Sequence, residues 1–369
     1  MSFPVDLEAC RRRQQRLIRV MERLELDWVV LSSIENVQWL TGVRSAWTFA
    51  PLAAIHRLGE VTLVFPHRRP EEVAADEVET YEAKWHSTMR NDQREASTKK
   101  LLDMMRGRLS QAAVGLQFSS AGGYLFRACN GRKIDIDAEM YQLRRRKDTD
   151  ELMRLRRAID ATEKMYEAAR ATIAPGVSEI DLFNELQSVA VTELGEMLTG
   201  TGNDYQVNSR GGPPRAGIAA EPGQLWILDL GPAYQGYFAD NARTIAVTDV
   251  SKEQLMAYDH IMLVFDHVEK NARAGVSCRK LFEDAQEVLD TSPVGVFNHH
   301  LGHGIGLFPH EGPHLNPNWD DTLEVGDVFT AEPGLYAPEL NAGMRIENDY
   351  LVTSTGVECL TPFSTRLKI

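Results

Sequence analysis

Gly176-Val177-Ser178-Glu179-Ile180-Asp181-Leu182-Phe183-Asn184-Glu185-Leu186-Gln187-Ser188-Val189 returns 99 residues later as Gly275-Val276-Ser277-Cys278-Arg279-Lys280-Leu281-Phe282-Glu283-Asp284-Ala285-Gln286-Glu287-Val288. Gly, Val, Ser, Leu, Phe, Gln and Val recur in register, seven identities over fourteen positions. Shared helix chemistry produces part of such a match, but this many identities favour a duplicated unit. The flanks repeat as well. Asp148-x-x-Glu151 is a capping box, which starts a helix by satisfying free backbone N–H groups, and that helix can run to about Ile173 before Pro175-Gly176 stops it. A second capping box, Ser251-x-x-Gln254, starts the long helix before the second copy. A strand-rich stretch follows each copy. The pattern predicts two αα-plus-antiparallel-sheet halves related by a pseudo-two-fold, with a cleft between them.

The strand-rich stretches carry unusual charges. Leu225-Trp226-Ile227-Leu228-Asp229-Leu230-Gly231 is an apolar run holding one aspartate. A buried carboxylate must be paired, hydrogen-bonded or metal-bound, because burying it bare is costly. The next strand, Tyr237 to Val247, carries Asp240 and is joined to the first by a turn at Pro232 to Gly236. Both carboxylates can therefore lie on adjacent antiparallel strands. After the second copy, His299 to Pro313 holds four of the ten histidines and four glycines in fifteen residues. Glycine lets a backbone come close to a ligand, and imidazole is a common metal ligand and proton carrier. His299 and His300 read as structural. Val328 to Leu335 then places Glu332 in an apolar strand, and Met344 to Val352 places Arg345 and Glu347 in another.

Upstream of the repeat, residues 7 to 25 read as an amphipathic helix with Leu17, Ile18, Met21 and Leu24 near helical spacing, and Leu26 to Leu31 as a buried strand. Asn36 to Gly42 reads as a strand running into a glycine turn. Leu52 to Arg57 and Val61 to Phe65 flank a hairpin turn, Arg90 to Arg108 is helical, and Ala112 to Leu116 is a strand. Alternating helix and strand make this region an α/β domain without a chemical motif. Trp39, Trp47 and Trp85 read as packing residues, with Trp47 placed where it could reach a cleft. The boundary falls near Leu143-Arg144-Arg145-Arg146-Lys147, whose four consecutive cations read as a solvated linker. The chain is thus α/β (α+β), with domains 1–145 and 146–369.

Composition narrows the function. The 369 residues are 43% hydrophobic and 25% charged, ordinary for a globular protein. Acidic residues number 53 and basic ones 40, and the net charge of −13 disfavours nucleic acid or an anionic membrane as partner. Cys10, Cys129, Cys278 and Cys359 are scattered and read as reduced thiols. The first twenty residues show no apolar core before a cleavage site, and no stretch reaches membrane-spanning length, so the expected location is cytoplasmic.

Asp229, Asp240, His303, Glu332 and Glu347 together make four carboxylates and one imidazole. Four facing carboxylates repel unless cations neutralise them, and two divalent metals supply the matching charge. Such a donor set suits Mn²⁺, Fe²⁺, Co²⁺ or Zn²⁺, and carboxylates can bridge two metals about 3.5–4 Å apart.

The motifs Ile227-Leu228-Asp229-Leu230-Gly231, Asp240-x-x-Arg243-Thr244, Gly302-His303-Gly304-Ile305-Gly306, Ala331-Glu332-Pro333-Gly334-Leu335-Tyr336 and Arg345-Ile346-Glu347-Asn348 resemble the creatinase/aminopeptidase P/prolidase branch of the "pita-bread" metallopeptidases. The resemblance runs nearly end to end. It implies an amino-terminal creatinase-like domain and a pita-bread catalytic domain. It implies two divalent metal ions, manganese first, with cobalt, zinc or iron as alternatives. Asp229 would chelate one metal, Asp240 and Glu347 would bridge the pair, and His303 and Glu332 would hold the other. A bridging water would attack, Glu332 would take its proton, and His310 would sit over the substrate. Arg345 and Thr244 would support the ligands from behind. The implied substrate is a small peptide with an Xaa-Pro bond, and the implied assembly a homodimer.

One feature departs from that family. Its peptidases usually carry a histidine about seventeen residues before the first metal-binding aspartate, yet no histidine occurs between His86 and His260 here. The corresponding stretch, Asn208 to Arg215, offers Arg210 and Arg215, which could hold an anionic group of the substrate. This departure keeps a second expectation in play, a C–N hydrolase or lyase acting on a creatine-, ectoine- or sulfonium-type small molecule. A catalytically inactive binding module ranks last, because the ligand set is complete.

Overall fold

The computed structural model describes residues 3–45, 49–83 and 90–368. Trp47 and Trp85 lie outside the described residues. The chain divides into two compact units, Met1–Arg144 and Arg145–Ile369.

The first unit runs α1 (Leu7–Arg23), β1 (Trp28–Leu31), α2 (Ile34–Thr41), β2 (Leu52–His56), β3 (Val61–Pro66), β4 (Glu77–Tyr81), α3 (Arg90–Met105), β5 (Val114–Leu116), α4 (Gly123–Ala128), β6 (Lys133–Asp135) and α5 (Asp137–Arg145). Its six strands form one mixed sheet in the order β4-β3-β2-β1-β5-β6. The hairpin β2–β3 is antiparallel, whereas β5 joins β1 in parallel. Asp6 caps α1 by accepting the Ala9 N–H at 2.9 Å. Trp39 is fully buried, as a packing residue should be. One expectation fails here: Asn36 to Thr41 is the body of helix α2, not a strand. Ser33 accepts the Asn36 N–H at its start and Gly42 ends it at φ 83°. The six buried residues from Asn36 to Thr41 read equally well as a strand, and only the two caps distinguish the helix.

The second unit begins with α6 (Thr149–Thr172) and α7 (Glu179–Leu194). Next come β7 (Leu225–Leu230), β8 (Ala233–Tyr234), β9 (Tyr237–Phe238), β10 (Asn241–Ala246), α8 (Lys252–Asn271) and α9 (Cys278–Asp290). The strands β11 (Gly302–Gly304), β12 (Glu311–Leu315), β13 (Val328–Ala331), β14 (Gly334–Leu335), β15 (Met344–Arg345), β16 (Asn348–Val352) and β17 (Val357–Cys359) complete it. Both capping boxes form at the starts of α6 and α8.

The duplication is visible in matched hydrogen bonds. Gly176 N–H donates to Ala220 O and Gly275 N–H to Leu323 O, each at 2.8 Å. Ala220 N–H returns to Val177 O and Leu323 N–H to Val276 O. Ser178 and Ser277 cap α7 and α9 in the same way. Both glycines sit near φ 90°, a conformation that favours glycine. Each half has its own core. Leu182, Leu186, Trp226 and Ile245 pack in the first, and Leu281, Ala285, Phe329 and Tyr350 in the second. The antiparallel pair β7–β10 belongs to the first half, and the five-stranded sheet β12-β11-β13-β16-β17 to the second.

The basic segment at the boundary is mostly buried, with only Arg146 of its four cations exposed. Arg144, Arg145 and Lys147 are buried because each has found a partner. Arg145 donates to Asp327 Oδ2 at 2.6 Å, Lys147 lies 3.4 Å from Glu311, and Arg144 donates to Asn36 at 2.7 Å. The glycines beside His303 also act differently from expectation. A Cβ on Gly302 would lie 1.9 Å from Thr330 O, and one on Gly304 1.9 Å from Gly312 O. Both are glycine because strand β11 is squeezed between β12 and β13. Among the described residues no helix is long and apolar enough to cross a membrane, and all four cysteines are free.

Gly302→Ala should therefore lower stability by about 1–3 kcal/mol, the usual cost of overpacking against atoms that cannot yield. Gly356→Ala, where a Cβ meets nothing within 4 Å, should leave the urea midpoint unchanged. Equal midpoints for the two variants would refute this account of β11.

Candidate metal centre

The carboxylates reach one cavity from breaks in the sheet. Asp229 lies within β7, facing Ala242 of β10 across the antiparallel ladder. Asp240, by contrast, stands between β9 and β10, Glu332 between β13 and β14, and Glu347 between β15 and β16. The expected continuous strands are interrupted at three of the four acids. His303 is the central residue of β11. All five line a cavity of about 440 Å³, together with His299, His300, His310, Tyr336, Arg210 and Arg345.

Ligand atoms converge in overlapping groups. Asp229, Asp240 and Glu347 offer oxygens within 4.8 Å of one another, as do the donor atoms of His303, Glu332 and Glu347. His303 Nδ1–H donates to Gly304 O at 3.0 Å, which leaves the lone pair on Nε2. That nitrogen faces Glu332 Oε1 at 3.5 Å and Asp240 Oδ2 at 3.6 Å. Three electron-rich atoms thus face one another, while Glu347 Oε2 is buried with no hydrogen-bond partner. Burial, then the neighbouring Asp229, Asp349 and Glu332 charges, push Asp240 well above the usual carboxylate range. Burial, then Asp240 and Asp229, do the same to Glu347. Burial also holds His303 near 4, in its neutral ligand form. Divalent cations fit this donor set: they would relieve the repulsion, occupy the orphaned oxygen and accept the imidazole lone pair.

Supporting residues surround the cluster. Burial raises Asp229, but Arg345 opposes that shift through Nη2, 2.8 Å from Asp229 Oδ2. Arg345 also pairs with Asp204 and donates to Arg210 O at 3.1 Å. Thr244 secures the Arg345 main chain, donating to its carbonyl at 2.9 Å. His310 is exposed and stacks on His303 with ring centres 3.7 Å apart and planes 12° from parallel. Arg210 lies over the Tyr336 ring at 3.9 Å and donates to Asn298 at 2.6 Å.

Arg215 does not belong with them. It is absent from the cavity wall because the buried Glu179 carboxylate holds its guanidinium, Nη2 to Oε1 at 2.6 Å and Nε to Oε2 at 3.1 Å. Conversely, three participants escaped the sequence reading. Asp204 accepts the Gly212 N–H at 2.6 Å and so ties the Arg210 loop to Arg345. Asp349 is fully buried behind Asp240, whose N–H points to it at 3.5 Å. His300 donates to Glu332 at 2.7 Å. The only available signal was for His300, three residues before His303 in the histidine-rich stretch.

Comparison with known proteins agrees with this architecture. The family model for the Creatinase/Prolidase N-terminal domain matches residues 13–145, and that for metallopeptidase family M24 matches residues 153–354. An uncharacterized peptidase of Staphylococcus epidermidis is 30% identical over 234 residues, and one of Staphylococcus aureus 31%. Each match spans 62% of this chain and 66% of the relative's length. Among solved structures, the prolidase from Pyrococcus horikoshii OT3 superposes with TM-score 0.80 at 24% identity, over 96% of this chain and 99% of that one. The Xaa-Pro dipeptidase from Bacillus anthracis gives 0.82 at 23%, over 98% and 100%. The shared fold is the creatinase-like domain followed by the pita-bread domain. The chain belongs to metallopeptidase family M24.

Because Glu347 is a buried carboxylate in a repelling cluster, Glu347→Gln should melt higher than wild type when both are metal-free. Added Mn²⁺ should reverse the order by stabilising wild type alone. A variant that melts lower than wild type without metal would show that the cluster is not strained.

Proposed function

We propose that the chain is a dinuclear metal-dependent hydrolase that cleaves the amide bond before proline in short peptides. The observation that carries this reading is the convergence of Asp229, Asp240, His303, Glu332 and Glu347 on one cavity. Those five side chains would hold two divalent ions, which when bound supply a water acidic enough to attack at neutral pH and polarise the scissile carbonyl. Glu332 accepts the attacking water's proton and passes it on to the departing nitrogen. His310, stacked on His303 at the open side of the cavity, donates to the oxygen on which negative charge develops. Arg345 holds Asp229 in place.

Arg210 supports a short substrate. Arg210 is exposed, lines the cavity, and rests on Tyr336 in a position to take a carboxylate. A dipeptide's free carboxylate is the simplest group of that kind. The same arginine, with no histidine in the Asn208 to Arg215 loop, also favours a second reading. In it the substrate is a small non-peptide that carries a carboxylate and a cleavable C–N bond.

An assay with Mn²⁺ of Xaa-Pro dipeptides, Xaa-Pro-Xaa tripeptides, creatine and ectoine separates the two. The first reading predicts turnover of the proline peptides, and turnover of the non-peptides alone would replace it with the second. His310→Ala should lower kcat by about 10²-fold or more, in the range for lost transition-state donors, with metal content unchanged. Arg210→Ala should instead raise KM for dipeptides more than for their amidated forms. Equal KM changes for acid and amide would remove Arg210 from substrate recognition.

A further inference from the structure

His299 and His300 are adjacent in sequence but face different partners. A carboxylate can only accept, so the Nε2 of His300, 2.7 Å from Glu332 Oε1, must carry the proton. Among the described residues His300 is the one side chain that hydrogen-bonds Glu332. His299 fixes the place from which His300 reaches. Its Nδ1 lies 2.8 Å from His300 O, an acceptor, so Nδ1 is the donor. Its Nε2 then accepts from the Tyr336 hydroxyl at 2.9 Å, and that hydroxyl oxygen receives Arg345 Nη1–H at 3.5 Å. The donors run in one direction, from Arg345 through Tyr336 and His299 to the His300 main chain. Arg345 is also the residue that grips Asp229.

We propose that His300 is a positioning residue, whose Nε2–H orients Glu332 and thereby sets how tightly the centre holds a divalent cation. The proposal rests on the metal-centre reading above and extends it to a residue outside the ligand set. Three observations favour positioning over packing. The His300 side chain keeps 36% of its surface exposed and lines the cavity, so truncating it enlarges that cavity and leaves no closed void. Its one polar side-chain contact goes to a group in the cluster, and its ring meets those of His303 and His310 only edge-on, with centroids 5.6 and 6.1 Å away. Glu332 also lacks the guanidinium that Asp229 enjoys at hydrogen-bond distance, so its orientation depends on this one imidazole. Hydrogen-bond partners behind a metal-ligating group typically contribute about 10–100-fold in affinity or activity.

The test uses the full chain, stripped of metal with a chelator and titrated with Mn²⁺ against a chromogenic competitor. Wild type, His300→Ala and His300→Gln are compared, and kcat and KM are measured on the best proline dipeptide. The Ala variant should bind its weaker Mn²⁺ equivalent about tenfold or more less tightly, with kcat reduced and KM within about twofold. The Gln variant, which keeps an N–H donor, should recover most of both losses. Metal-free melting temperatures should agree for the three proteins. If His300→Ala fails to fold, His300→Asn, whose shorter amide cannot reach Glu332, takes its place in the comparison with Gln. Unchanged Mn²⁺ affinity in the Ala variant, or equal losses in Ala and Gln, overturns the proposal while the metal centre stands. A raised KM with unchanged affinity makes His300 a substrate contact and overturns it too. If wild type binds no Mn²⁺, the metal centre and this role fall together.

Discussion

Four carboxylates and an imidazole lone pair, closed into one cavity, repel one another, and much of the second unit exists to hold them there. Two of the acids, Asp240 and Glu347, are driven well above the usual carboxylate range by burial and by the neighbouring carboxylates. Glu347 keeps an oxygen with no protein partner. Such an arrangement is costly as a purely structural feature, since a buried polar network is stable only when every member is satisfied. It becomes favourable once cations enter. The chemistry of the donor set is therefore itself an argument about what the site would bind.

Duplication supplies the means of building it. The first half contributes Asp229 from β7 and Asp240 from the break before β10, and the second contributes His303, Glu332 and Glu347. Neither half holds a complete set. The halves are locked at the cluster itself: Glu347 N–H donates to Ala242 O, Asn241 and Arg243 donate to Glu347 O, and Thr244 clasps the Arg345 main chain. Arg345 then reaches across to Asp229 and Asp204. The candidate ligands are thus held by hydrogen bonds that converge on the main chain of Glu347 and Arg345, as a preorganised site requires. The breaks that seat Asp240, Glu332 and Glu347 fall where a regular ladder would turn these side chains by strict alternation.

Legibility in the sequence followed the range of the interaction. The helices α6 to α9 were readable because capping boxes and the Gly-Val-Ser starts are local signals. The five candidate ligands stood out as isolated charges in apolar runs. Residues whose role depends on a distant partner gave no such sign. Asp204 matters through Arg345, Asp349 through Asp240, and Arg215 is withdrawn from the cavity by Glu179, 36 residues away. Arg145 and Lys147 looked solvated because Asp327 and Glu311 lie far along the chain. Asn36 to Thr41 failed for a different reason, since a short buried run carries no periodicity to separate helix from strand.

The claim underlying this account is that the cluster is built for two cations. Isothermal titration of Mn²⁺ into the chelated 369-residue chain, with elemental analysis of the saturated protein, tests it directly. The account predicts saturation at two ions per chain, and at one or fewer when Asp240 is replaced by alanine. Saturation of the wild-type chain at one ion or none would contradict it.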